Sequence, residues 1–136
     1  MIATHLPQLA AHLAAEGVVA PMFATAWFMT AFTRDFPVHL TARVLDCFLA
    51  GPDGTKVLHR VSLALLQRAQ PMLLTADLGD CLMLLRDVPK THCHDPAALM
   101  QEAFKFKLKR VEIVSAAATG EQAAELAATR ARANEE

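Results

Sequence analysis

His92, Cys93 and His94, followed directly by Asp95, are the cluster in this chain with metal-ligand residue types, and zinc is the ion such a set would suit. Adjacent residues on a short link cannot all face one ion. No C-x-x-C or H-x-x-x-H spacing elsewhere completes a tetrahedral set, so the expectation is no metal and no cofactor. His5, His12, His39 and His59 lie far apart and are expected at the surface or satisfied by hydrogen bonds. No spacing joins a cysteine or serine to a histidine base, so no nucleophile is assigned. Cys47, Cys81 and Cys93 are odd in number and widely spaced, two of them within apolar helical pattern. They are expected as small buried hydrophobes rather than disulfide partners.

Two groups of charges invite attention. Asp46 falls between Leu45 and Phe48 on an otherwise apolar helical stretch. Arg43 is three residues back and Arg60 lies at comparable depth in the next helical stretch, so a structural ion pair among Arg43, Asp46 and Arg60 is expected to satisfy a partly buried carboxylate. Lys105, Lys107, Lys109 and Arg110 interleave with Phe104, Phe106 and Leu108, a pattern able to meet nucleic acid or acidic lipid. The chain's net charge of −1 favours a solvated helix face instead, with no nucleic-acid partner.

The elements that must position these groups all read as helices. Pro7 and Gly17 bracket a first one carrying Leu9 and Leu13. Pro21 opens an aromatic helix with Phe23, Trp27, Phe28 and Phe32 as its core anchors, expected to run until Asp35, Phe36 and Pro37 stop it. Residues 38–50 place Leu40, Val44, Leu45, Phe48 and Leu49 inward, before a Gly51-Pro52-Asp53-Gly54 turn. Thr55 is expected to cap a helix halting before Pro71, Asp77 one ended by Pro89, and Asp95 with Pro96 a further one. Beyond Phe104 apolar residues alternate with period two, which alone would suggest a strand. With no partner strand in sight, the helix begun at Asp95 is expected to continue. Thr119 to Gln122 resembles a capping box opening an Ala/Glu/Arg-rich tail helix.

At 136 residues, 54% apolar and 20% charged, the chain can bury a sizeable core and shows no compositional sign of disorder. Its longest uncharged stretch, residues 17–33, is shorter than the ~20 residues of a membrane span and contains Pro21, so no membrane insertion is expected. No signal peptide is visible, and the chain reads as cytoplasmic.

The aromatic stretch spells F-A-x-x-W-F-x-x-x-F-x-x-x-F-P from Phe23 to Pro37, then R-x-x-D from Arg43 to Asp46, then V-L-x-x-x-x-L-A-L-L from Val57 to Leu66. In that order and spacing, over roughly Leu6 to Leu108, the chain resembles the C-terminal half of the TBC domain, which activates Rab-family small GTPases. The resemblance implies an all-α fold, an array of short antiparallel helices forming the C-terminal lobe of a TBC-type domain over residues 1–110, with 111–136 a charged helical tail. It implies a GTP-bound Rab as partner, a role in vesicle trafficking, and a place in the cytoplasm at the periphery of endomembranes. TBC domains act through an arginine from I-x-x-D-x-x-R and a glutamine from Y-x-Q. This chain has no tyrosine, and none of its aspartates is followed three residues later by arginine. No catalytic residue is therefore carried over, and the chain is expected to be inactive alone, a truncated or non-catalytic piece with an apolar face open to self-association. The competing expectation is a helical-hairpin adaptor of the armadillo or HEAT kind, unrelated to GTPases.

Overall fold

The computed structural model describes residues 1–34, 36–110 and 112–113. They form seven helices and no strand among the described residues: α1 (Ile2–His5), α2 (Pro7–Ala15), α3 (Pro21–Met29), α4 (Val38–Leu49), α5 (Gly54–Leu73), α6 (Leu78–Thr91) and α7 (Pro96–Lys105). The expected tail helix and its capping box lie outside the described residues.

The twenty-residue α5 is the axis, with α4, α6 and α7 packed against it and α3 reaching α6. Its sequence explains the position: Val57, Leu58, Val61, Leu65, Leu66 and Ala69 recur at helical spacing, and Leu63 and Ala64 widen the stripe until most of the helix is buried. Gly54 begins it where the chain passes close to α4. A Cβ there would collide with the Phe48 carbonyl, so only glycine permits this approach. Thr55 is therefore not the cap. Asp53 occupies that position, and its carboxylate accepts from Lys56 Nζ at 2.8 Å instead of from the helix backbone.

Local chemistry sets several ends as expected. Gly17 at φ +75° closes α2 with Gly17 N–H on Ala14 O and Val18 N–H on Leu13 O, the paired bonds of a Schellman cap. Asp77 accepts from the Asp80 amide and Asp95 from the Ala98 amide, capping α6 and α7.

Four helix ends differ from expectation. The aromatic helix stops at Met29, well before Pro37. Ala31 (φ 44°) and Phe32 (φ 65°) turn left-handed, with Ala31 N–H on Phe28 O and Phe32 N–H on Trp27 O. This is the same cap geometry without glycine, held from α4 by the Thr41 hydroxyl donating to Phe32 O at 3.3 Å. Its effect is to fold Phe32 and Phe36 back beneath Trp27, giving ring contacts at 6.2 Å from Trp27 to each and 4.6 Å between the two phenylalanines. Next, α5 and α6 run through Pro71 and Pro89 rather than stopping before them. Each proline sits in the last turn, where only one backbone bond is forfeited. Lastly, α7 ends at Lys105, where Phe106 turns to an extended conformation, and residues 106–109 are not helical.

Candidate docking site

Phe23, Trp27, Phe32 and Phe36 are buried, while Phe28 is only partly so and lies against the His59 ring at 4.8 Å. One edge of this aromatic cluster stays open. Between α3 and α6 runs a groove of about 450 Å³ lined by Met22, Phe23, Ala26, Trp27, Leu82, Met83 and Arg86. On the far side of Met83 a second hollow of about 500 Å³ lies between the end of α5 and α6, bounded by Pro71, Met72, Thr75, Asp80 and Asp87. Met22, Met72 and Met83 are all exposed along this face. Unbranched thioether side chains repack easily against a partner, so the face is shaped for contact with another surface rather than for enclosing a small molecule. Arg86 Nε approaches Asp87 Oδ1 at 3.6 Å in the open, an ion pair of little energetic weight that leaves the guanidinium accessible.

The expected ion-pair residues are not brought together. Arg43 and Asp46 lie exposed on α4, as does Leu49, 79% exposed and outward rather than inward. The α4 helix buries a narrower stripe, Leu40, Thr41 and Val44, than its apolar content suggests, so Asp46 keeps its water. Arg60 turns the other way: its Nε–H donates to the Phe106 carbonyl at 3.0 Å, and its guanidinium lies 5.3 Å from the centre of the Phe104 ring. Among the described residues Lys56–Asp53, Arg86–Asp87 and Arg68–Glu102 form ion pairs, and His5 Nε2 lies 3.9 Å from Glu112 Oε1.

Arg68–Glu102 is the one that organises the structure. Arg68 on α5 donates to both carboxylate oxygens of Glu102 on α7, and its Nη1 donates to the His92 carbonyl at the end of α6. The carboxylate, with Arg68 fixed beside it, is held below its ordinary range, and the guanidinium is raised in turn. Two residues thirty-four apart in sequence carry no local signal of pairing.

The His92–Asp95 link has no metal geometry. Cys93 points into the core, and burial pushes its thiol up to about 12, so it stays protonated at neutral pH. His92, lowered chiefly by burial and then by Arg68 and His94, meets the Thr91 hydroxyl at 2.7 Å. Among the described residues no group of three or more His, Cys, Asp or Glu side chains is placed to hold a metal ion. Nor is any helix among them long and apolar enough to cross a membrane. His12 ties α2 to the α5–α6 turn by a bond from Nε2 to the Ala76 carbonyl at 2.9 Å.

Among the described residues the fold is thus a helical array around one long axis, with an aromatic helix bordering a groove that Met22 and Met83 help to line. Residues 1–74 match the Rab-GTPase-TBC domain family, and the chain belongs to that family. Over 108 residues, 79% of the chain, it is 34% identical to the human protein described as ecotropic viral integration site 5 protein homolog. It is 31% identical over 116 residues, 83% of the chain, to Rab GTPase-activating protein tbc-11 of Caenorhabditis elegans. It is also 33% identical over 90 residues, 66% of the chain, to a TBC domain-containing protein kinase-like protein of Gallus gallus. The matched region spans only 13%, 12% and 10% of those proteins. This membership sets aside the unrelated helical-hairpin adaptor.

Proposed function

We propose that this chain forms the C-terminal helical part of a GTPase-activating domain for Rab-family small GTPases, acting on the GTP-bound form and regulating vesicle trafficking from the cytoplasm at the periphery of endomembranes. On this reading it helps to build and dock the domain, while the two catalytic side chains come from outside these 136 residues. The observation that carries it is the match to the Rab-GTPase-TBC family in a sequence that encodes neither finger motif. An arginine supplied in trans is worth roughly 10³–10⁵ in rate, which binding contacts alone do not replace. The methionine-lined face along α3 and α6 is the docking surface this reading favours, whether for the rest of such a domain or for a second copy of the chain. Residues 111–136 would be a charged tail outside the domain.

The test is single-turnover GTP hydrolysis by a panel of Rab proteins with this chain in excess, alongside a binding measurement on the GTP-loaded forms. No acceleration is expected. Stimulation of roughly a hundredfold or more, a sizeable part of what a finger supplies, would overturn the non-catalytic reading and direct attention to Arg34, Arg43, Arg60, Arg68 and Arg86.

A further inference from the structure

Downstream of α7 the chain builds a ridge. Phe106 at ψ 115° takes the backbone out of the helix, and over residues 106–109 side chains alternate faces: Leu108 is buried and Phe106 half-buried, while Lys107 and Lys109 are exposed. Lys105 and Arg110 at its two ends are exposed as well. A helix would have dispersed these cations around its circumference. The alternation of buried and exposed residues turns Lys107 and Lys109 outward together.

The ridge is held in place rather than dangling. Arg60 donates to the Phe106 carbonyl, and Glu112 Oε2 accepts from the Lys109 amide at 2.9 Å. The carboxylates here are already engaged. Glu112 is turned to that amide and toward His5, and Asp53 is bonded to Lys56. Both carboxyls are held below their ordinary range, Glu112 first by the Lys109 amide and Asp53 first by Lys56. Asp53 also feels Arg110 and Arg60, which places those cations on the same side of the molecule. A chain of net charge −1 thus carries a basic, exposed segment over residues 105–110. Beside it Phe104 is 48% exposed, its ring lying against Arg60.

We infer that this ridge is a contact surface for an anionic phospholipid bilayer, with Lys105, Lys107, Lys109 and Arg110 facing the headgroups and Phe104 entering the interface. A half-exposed aromatic ring bordered by four cations matches a surface negative outside and apolar just beneath. Nucleic acid fits less well, because a single exposed ring offers no stacking platform and the ridge no groove to follow a backbone. The inference rests on the peripheral placement proposed above, not on GTPase activation, and vesicles carry no GTPase. Its failure and the failure of the hydrolysis reading are therefore separate results.

The experiment is sedimentation of the full chain with phosphatidylcholine vesicles, with and without phosphatidylserine, across a salt series. Binding is expected only with phosphatidylserine and should fall as salt rises. Lys107→Glu with Lys109→Glu should lower partitioning by roughly tenfold or more, since each cation near such a surface is worth about fivefold, while the thermal melt stays unchanged because both side chains are exposed. Phe104→Ser should give a smaller loss at every salt concentration. Equal binding to neutral vesicles, no binding, or full binding by the double variant overturns the inference. So does tighter binding of a poly-glutamate peptide than of vesicles. Full binding by Phe104→Ser overturns the part assigned to the ring.

Discussion

Arg68 grips Glu102 with two parallel hydrogen bonds, Nε to Oε2 at 2.7 Å and Nη2 to Oε1 at 3.0 Å, and its remaining nitrogen holds the His92 carbonyl at 2.8 Å. One side chain thus ties three helices at the end of the molecule farthest in sequence from the aromatic cluster. The fork suits arginine alone, since a lysine ammonium cannot present three coplanar donors to a carboxylate and a carbonyl.

Glu102→Gln and Arg68→Lys should each destabilise the chain by roughly 1–2 kcal/mol, a figure for charge-assisted hydrogen bonds reduced because about a third of the Glu102 side chain meets solvent. The pH dependence has a definite sign. The folded-state carboxyl is lowered from its ordinary 4.5, so its stabilisation is complete above that value and fades as pH falls through the lowered one. Urea melts from neutral to acid pH should show Glu102→Gln converging on the parent at low pH. A constant gap across the series would contradict the assignment.

Trp27 is 2% exposed and packed edge to face on Phe23 at 5.4 Å. Trp27→Ala should cost roughly 3–5 kcal/mol, much of the stability of a small domain. A thermal melt matching the parent would refute its place at the centre.

Ala31 adopts a left-handed conformation that costs an L-residue about 1 kcal/mol. Ala31→Gly should stabilise slightly, by up to roughly 0.5 kcal/mol, because the strain removed slightly exceeds the freedom added to the unfolded chain. Loss of stability in a denaturant titration would show that α3 does not end as described.

The three thiols should separate by reactivity. Cys47 is half-buried, whereas Cys81 and Cys93 are buried, with both thiols raised mainly by that burial. Iodoacetamide at mildly alkaline pH should modify Cys47 in the native protein and the other two only after denaturation. Native alkylation of Cys93 at the rate of Cys47 would place it outside the core.

What could be read from sequence follows the reach of the forces involved. The caps at Asp77 and Asp95, the proline starts at Pro7 and Pro21 and the Gly17 stop depend on neighbours within four residues, and each is visible in the chain itself. The stop after Met29 is hidden because no glycine marks it: tertiary packing of Phe32 and Phe36 under Trp27, with Thr41 bonded to the turn, compensates a conformation alanine and phenylalanine resist. The alternation after Phe104 does mark where the helix ends: among the described residues no strand pairs with this segment, and Arg60 and the buried Leu108 hold it without a ladder. Arg68 and Glu102 meet only through the fold, and Asp46 reaches water only because α4 buries a narrow stripe.

The ring cluster under the α3 turn has a spectroscopic consequence. The chain holds one tryptophan and no tyrosine, so its intrinsic emission comes from a single indole, set among the Phe23, Phe32 and Phe36 rings and bordering the groove to α6. Fluorescence therefore reports the α3 turn and its seating against α6, whereas circular dichroism averages over every helix. Should the first turn of this chain form before α5 gathers its neighbours, the two signals will separate in time, and the protein will carry its own label for the earliest event in its folding.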